Sequence, residues 1–376
     1  MQYFDLMKDR IRFIIVGSGW RSLYYVRIAK ALPQVFELCA MLCRTEEKAA
    51  RMAEENGIHT TTSISECISY KPDFVVVVVN KASIAEVALQ WLDRGFCVLS
   101  ETPAALDTGT LARLREAERG GAENGAKLVV CEQYRRYPSL SALLTIAKSG
   151  ILGEPTCLNL SVAHEYHGAS LMRAFLDIKG FENFTVRAKT YEFPTTETLT
   201  RYDSFKDGRV APKKRTVATF EFESGKVGIY DFDSEQYRSP IRRNTIRLHG
   251  VRGEIIDDKV YYLNADNDGV VSQITTNSRI VHTESNNPNL ASFKEIQDIV
   301  FEGKSIYNPP FGLCGLSEDE TAIASMMQQT ALYERGQKDS PYPLDEAVFD
   351  AYMAIVLQRA VASGQTEVSD FREIGL

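Results

Sequence analysis

The run Phe74-Val75-Val76-Val77-Val78-Val79 is apolar at every position. A strand with one wet face alternates polar and apolar side chains, whereas a strand covered on both faces is apolar throughout. The run therefore fits the middle of a parallel sheet with helices on both sides, and the flanking sequence supplies those helices. "RFIIVG" (12–17) reads as a strand and "WRSLYYVRIAKAL" (20–32) as a helix stopped near Pro33. Strand "FELCAMLC" (36–43) leads to a helix over 46–56 with Gly57 as its cap. After 74–79 come a helix over 83–95, strand "FCVLS" (96–100), a helix over 107–120 and strand "KLVVCE" (127–132). This alternation predicts a Rossmann-type doubly wound parallel sheet.

The rhythm then changes. A helical stretch, 134–155, ends in glycine, and "TCLNLSVAHE" (156–165), "TVATFEFESGKVGIYDFD" (216–233) and "NTIRLHGVRGEIIDDKVYYL" (244–263) alternate polar and apolar residues around ESGK and GVRGE turns. They predict a large, mostly antiparallel open sheet, interrupted by a helix over 167–178. Two more helices, near 317–335 and 344–362, close the chain. Residues 263–290 read as loop-rich, and 197–215 as a polar loop over a substrate or at a subunit contact. "DFDSEQYRSPIRR" (231–243) reads as an exposed connection. The fold class is α/β, with a dinucleotide-binding domain over 1–134 and a substrate-binding and oligomerisation domain over 135–376, whose last helices pack back on the first. A chain of 376 residues exceeds what one hydrophobic core usually serves.

Composition excludes several classes. A formal charge of −7 gives no broad positive field for nucleic acid. Seven cysteines without CxxC spacing read as reduced thiols, with no metal site expected. The amino terminus "MQYFDLMKDRIRFIIVG" lacks the apolar core and cleavage site of a signal peptide, and no stretch suits a membrane span, so the expectation is a cytoplasmic protein.

"GSGWRS" (17–22) lies between a strand and a helix, where a dinucleotide fingerprint belongs. Gly17 permits the tight turn, Gly19 lets a pyrophosphate approach the backbone, and Ser22 stands at the third small position. Ser18, Trp20 and Arg21 complete the turn as cofactor candidates. At the end of the second strand an NAD site usually carries Asp or Glu for the ribose 2′-hydroxyl. This chain has Cys43, then Arg44 and Thr45; either NAD or NADP is compatible, with Arg44 tilting the reading toward NADP. Asn80 and Lys81 end the 74–79 strand and are further cofactor candidates, and Ser83 reads as a helix cap.

With Glu101-Thr102-Pro103 after strand 96–100, "EQYRRYP" (132–138) and "SGILGEP" (149–155), these motifs resemble the glucose-fructose oxidoreductase, inositol dehydrogenase and rhizopine-catabolism (Gfo/Idh/MocA) family over nearly the whole chain. The resemblance implies an NAD(P)-dependent oxidoreductase acting on a secondary hydroxyl of a sugar, glycoside or cyclitol, and a homodimer or homotetramer. Glu101 and Thr102 then fall at the cofactor site. The family's Glu-Lys-Pro lysine is replaced by Thr102. Its D-x-G-x-H-x-x-D element aligns on Gly168, which puts Tyr166, Ser170 and Arg173 at the Asp, His and Asp positions.

Proton transfer needs a group that titrates near neutrality, and "HEYHG" (164–168) offers two of the five histidines. His167 is the expected acid/base, supported by Tyr166 or His164. Read as a strand, the segment would put His164 and Tyr166 on one face and Glu165 and His167 on the other. Tyr134, Arg135, Arg136 and Ser170 are the substrate-binding candidates. Loss of the family's catalytic groups leaves two alternatives: a catalytically silent dinucleotide- and sugar-binding regulator, or redox-neutral sugar elimination with tightly held NAD.

Overall fold

A computed structural model describes residues 10–121, 126–200, 202–283 and 291–376. The signal-peptide reading of the amino terminus lies largely outside the described residues, as do positions 284–290 of the stretch expected to be loop-rich. The chain divides into two compact units, one of residues 1–133, 310–348 and 373–376, the other of 134–309 and 349–372.

The first unit is built on a six-stranded parallel sheet: β1 (Ile11–Val16), β2 (Phe36–Leu42), β3 (Thr60–Thr61), β4 (Phe74–Val77), β5 (Val98–Ser100) and β6 (Leu128–Val130). The order is β3-β2-β1-β4-β5-β6, with the chain reversing its direction of winding between β1 and β4. All four residues of β4 are buried, as a central strand requires. Phe13 of β1 stacks on Phe74 of β4 at 5.8 Å between centroids. Helices α1 (Ser22–Ala31), α2 (Glu46–Asn56), α3 (Ile64–Ser69), α4 (Ile84–Leu92) and α5 (Thr108–Gly121) follow successive strands. Gly57 caps α2 in the left-handed region, as its sequence position implies. The pair β3 and α3 escapes the sequence reading because a two-residue polar strand and a six-residue helix carry no measurable periodicity. Helix Glu318–Glu334 also belongs to this unit and starts with a Ser317/Glu320 capping box.

The second unit carries a nine-stranded mixed sheet of order β14-β13-β12-β11-β7-β10-β9-β8-β18. Its centre is β7 (Pro155–Ser161), parallel to β10 (Val227–Asp233) and antiparallel to β11 (Thr245–Gly250). The long hairpin of β8 (Phe184–Thr196) and β9 (Val210–Phe222) pairs along all thirteen residues of each strand. So the polar loop expected over 197–215 ends at 209, and β9 starts six residues earlier than read. Strands β12 (Gly253–Ile256), β13 (Lys259–Leu263) and β14 (Gly269–Gln273) extend one side, and β18 (Glu367–Val368) the other. A separate three-stranded sheet holds β15 (Thr275–His282), β16 (Ser292–Phe301) and β17 (Lys304–Tyr307).

The stretch expected to be loop-rich therefore contains β14 and β15. Asn264 makes the turn between β13 and β14, its side-chain oxygen accepting from the amides of Asp266 and Asp268, both at 2.9 Å. Seven of the eight residues of β15 are exposed, so its polar composition is what its surroundings allow. Backbone pairing to β16, not burial, makes it a strand.

Helix α6 (Pro138–Lys148) opens on proline, whose missing N–H costs nothing at a first helical position. Every residue of helix α7 (Glu165–Leu176) from Tyr166 to Leu176 is buried. It begins two residues earlier than the sequence suggests, and β7 ends at Ser161. The "HEYHG" segment is thus a helix start rather than a strand, and the expected alternation of its faces is wrong. Helix Leu344–Ser363 crosses the division between the units. Among the described residues no helix is long and apolar enough to cross a membrane.

Candidate active site

In the first unit the turn after β1 is tightly built. Gly17 has φ +115°, and a Cβ there would lie 2.4 Å from the carbonyl oxygen of Val78. A Cβ on Gly19 would meet nothing within 4 Å, so the turn's outer side is open to a ligand at the amino terminus of α1. Ser22 is fully buried, and both its amide (3.1 Å) and its hydroxyl (2.7 Å) donate to the Gly19 carbonyl. The small third residue of the fingerprint thus closes the turn. Trp20 is exposed beside it.

Arg21 turns back into the unit. Its Nε donates to Glu101 at 2.8 Å and its Nη1 to Asp319 at 2.5 Å, and its guanidinium lies 4.8 Å from the centroid of the Tyr24 ring. Burial opposes the charge, but Asp319 and Glu101 outweigh it and hold the guanidinium's pKa well above its ordinary value. Glu101 also accepts from the Tyr25 hydroxyl at 2.7 Å. Burial, with Cys131 and Glu101 nearby, pushes the Tyr25 phenol well up. Gln133 donates to Asp319 at 3.1 Å. Glu101 therefore anchors Arg21 beneath the glycine turn, and Thr102, half-buried, follows it.

At the end of β2, Cys43 is buried, its thiol raised by burial and hydrogen-bonded to Ser18. Arg44 is exposed, and the Thr45 hydroxyl caps α2 by accepting from the Lys48 amide at 3.2 Å. Lys81 is exposed. Asn80, not Ser83, supplies the side-chain oxygen at the start of α4, accepting from the Ser83 amide at 3.1 Å. The residues present fit a dinucleotide: a glycine turn with room outside it and the amino terminus of a ten-residue helix.

In the second unit the first turn of α7 gathers aromatic and imidazole rings. The ring of His167 lies 4.4 Å from Tyr134, 4.5 Å from Tyr166 and 5.0 Å from His164, centroid to centroid. Tyr134 in turn stacks on Tyr137 at 4.5 Å. His164 Nε2 lies 2.9 Å from the Tyr166 hydroxyl, and Nδ1 is hydrogen-bonded to the Tyr237 hydroxyl. The helix start is capped from a distance. The His164 amide donates to Tyr237 (3.1 Å) and the Glu165 amide to Tyr230 (2.9 Å). Glu165 has φ +36°, a left-handed conformation that costs energy in a non-glycine residue, and its carboxylate accepts from Gln358 at 2.7 Å. Gly168 is required here, since a Cβ would lie 2.7 Å from the Tyr230 ring.

Arg135 and Ser170 meet, with Nε donating to the Ser170 hydroxyl at 2.8 Å and its carbonyl at 3.1 Å. Ser170 is wholly buried, so the structure gives it the work of holding Arg135. Arg136 is half-buried beside it in sequence. Arg173, 1% exposed, pairs with Asp350 at 2.8 Å and lies 4.3 Å from the centroid of Phe349. Sequence reasoning missed Tyr237, Asp319 and Asp350. Tyr237 ends a short turn set by an Asp233/Gln236 capping box, a pattern visible in "DSEQ" but silent about where the phenol reaches.

Residues 11–131 match the profile of an oxidoreductase family with an NAD-binding Rossmann fold, Gfo/Idh/MocA. No curated protein matches the chain. Among solved structures, the fold is shared with the WlbA dehydrogenase from Bordetella pertussis, solved with NADH and UDP-GlcNAcA, at 17% identity and TM-score 0.63, over 97% of this chain and 99% of that one. It is shared with apo scyllo-inositol dehydrogenase from Lactobacillus casei at 16% identity and TM-score 0.63, over 96% and 99%. A putative NADPH-dependent oxidoreductase from Desulfitobacterium hafniense superposes at 13% identity and TM-score 0.63, over 96% and 98%.

Proposed function

We propose, from the membership of residues 11–131 in the Gfo/Idh/MocA oxidoreductases, that this chain moves hydride between a nicotinamide cofactor and a secondary hydroxyl or ketone of a sugar, glycoside or cyclitol. The observation that carries the reading is the glycine turn, closed on its inner side by Gly17 and Ser22 and open at Gly19. The solved relatives that bind NADH with a nucleotide sugar, or are inositol dehydrogenases, support the substrate class.

The bound nicotinamide supplies or takes the hydride at C4. This chain's residues manage binding and the proton. The amides at the start of α1 would hold the pyrophosphate, and Arg21, fixed by Glu101 and Asp319, steadies the turn. In alcohol oxidation His167 would take the hydroxyl proton, and a bound nicotinamide would supply the hydride acceptor, so that a ketone results. His164 and Tyr166, hydrogen-bonded to one another, support His167 from the same helical turn. Tyr134, Arg135 and Arg136 offer donors to substrate oxygens.

Cys43 at the ribose position carries no carboxylate to accept from a 2′-hydroxyl, and exposed Arg44 favours a 2′-phosphate, so NADP is the preferred cofactor. Quenching of Trp20, one of only two tryptophans, should show tighter binding of NADPH than NADH, with the preference lost in Arg44→Ala. For turnover, the assay is reduced-nicotinamide absorbance across a panel of sugars and cyclitols, and His167→Ala should abolish the signal. Unchanged turnover in that variant would remove His167 from the mechanism. Cofactor binding without turnover on the whole panel would favour a silent regulator, and release of a glycosidic leaving group without net cofactor use would favour redox-neutral elimination.

A further inference from the structure

β3 is the outermost strand of the six-stranded sheet and only two residues long, paired to β2 at Met41–Thr60 and Leu42–Thr61. An edge strand this short has few backbone bonds to hold it, and side chains supply the rest. The carboxylate of Glu66, on α3, gathers three donors. Its Oε2 accepts the Thr61 hydroxyl at 2.5 Å, and its Oε1 accepts His59 Nε2 at 2.6 Å and the Tyr70 hydroxyl at 3.0 Å. An ionised carboxylate can only accept, so its chemistry sets all three directions. The same hydrogen bonds, that of Thr61 first, hold the Glu66 carboxyl below its ordinary pKa. The Thr61 hydroxyl also accepts the Ser63 amide at 3.0 Å, and Ser63 caps α3 by accepting the Glu66 amide at 3.2 Å.

On its other side β3 meets the turn that follows β2. The Thr61 carbonyl accepts the Cys43 amide at 2.8 Å, and the His59 carbonyl accepts the Met41 amide at 3.0 Å. The Thr60 hydroxyl donates to the Ala49 carbonyl of α2 at 2.9 Å, and the Thr62 hydroxyl to the carboxylate of Glu46, the first residue of α2. We infer that Glu66 is a positioning residue for the adenosine end of the cofactor site: through Thr61 it holds β3 against β2 and so fixes the Cys43-Arg44-Thr45 turn, where the ribose is read. The link to a ligand rests on the dinucleotide reading; the brace does not. Without the carboxylate, Thr61, His59 and Tyr70 lose a shared acceptor and β3 loosens. Nucleotide binding must then order the turn, which weakens affinity.

The experiment pairs calorimetric titration with hydrogen exchange of the Cys43 amide, both on the full-length protein. The probes are 5′-ADP and 2′,5′-ADP, which carry the adenosine end without nicotinamide. Glu66→Met keeps the length of the side chain and removes its acceptors. It should weaken binding of either nucleotide about fivefold, the scale of one lost hydrogen bond. Glu66→Gln keeps one acceptor oxygen and should lose less. Thr61→Val should match Glu66→Met, and Thr61→Ser, which keeps the hydroxyl, should bind as the unmutated protein does. Exchange at Cys43 should speed up in Glu66→Met while that of Val75, whose amide donates to the Cys97 carbonyl at 2.9 Å in the middle of the sheet, stays slow. A general loss of stability would speed both, and that result overturns the inference. Unchanged affinity in Glu66→Met overturns it too, and where that variant does not fold, equal binding by Thr61→Val and Thr61→Ser does the same. An unmutated protein that binds neither nucleotide overturns the dinucleotide reading and, with it, the link from brace to cofactor.

Discussion

Replacing Arg21 by methionine isolates the electrostatics beneath the cofactor turn. The side chains of Arg21 and Glu101 are 13% and 9% exposed and that of Asp319 is 22% exposed, so the cluster is largely withdrawn from water. Methionine keeps much of the volume and removes the cation, leaving Glu101 with the Tyr25 hydroxyl and the weak amide contact of Thr102. Breaking a buried pair by removing one partner costs about 3–5 kcal/mol. Because Asp319 retains some contact with water, the lower end, about 3 kcal/mol, is expected. For a unit of this size that corresponds to a fall in melting temperature of about 6–12 °C.

Without the guanidinium the variant keeps a buried Glu101 carboxylate that has lost its counter-ion. Adding Glu101→Gln to Arg21→Met should therefore recover part of the loss at pH 7, because one uncompensated charge is gone. Differential scanning calorimetry of the two variants at pH 7 measures both effects. An Arg21→Met protein melting within about 2 °C of the unmutated one, or a double variant melting no higher than Arg21→Met, would refute the reasoning.

Three further outcomes follow from the same structure. Gly17→Ala drives a Cβ to 2.4 Å from the Val78 carbonyl at φ +115° and should lower the melting temperature together with cofactor affinity. Gly19→Ala meets open space and should leave the melting temperature unchanged while weakening NAD(P) binding in calorimetry, since the added methyl occupies the pyrophosphate's approach. Burial, with the charge of Asp345 nearby, pushes the Glu118 carboxyl up to about 7; stability should then fall as pH rises from about 4.3 to about 7, and Glu118→Gln should flatten that slope in a pH series of melting temperatures.

What the sequence disclosed and what it withheld divide along a physical line. The parallel sheet was legible because burial on both faces writes itself into every residue of a strand such as Phe74–Val77, and because Gly17 and Gly57 mark backbone conformations that few other residues adopt. β15 was not legible, since a strand exposed along nearly its whole length selects no apolar pattern and depends on the pairing of its backbone with β16. The candidate site shows the same division. Clustered histidines singled out residues 164–168, but whether they form a strand or a helix start is decided by Tyr230 and Tyr237, which cap the segment from 65 and 73 residues away. Likewise Glu101 is an expected cofactor-site residue, but nothing local announces that it pairs with Arg21, 80 residues earlier, which also binds Asp319, 218 residues after Glu101. Local signals such as periodicity, caps and turns are written over a few residues. Charge compensation and remote capping couple positions with no sequence relation, and the chemistry of this site resides in those couplings. Tyr166, Ser170 and Arg173, where the resemblance leads one to expect Asp, His and Asp, need not then be read as decay of a catalytic motif. Arg173 has its counter-ion in Asp350, Tyr166 its hydrogen-bond partner in His164, and Ser170 holds Arg135, so these three side chains are bound into one network of their own unit.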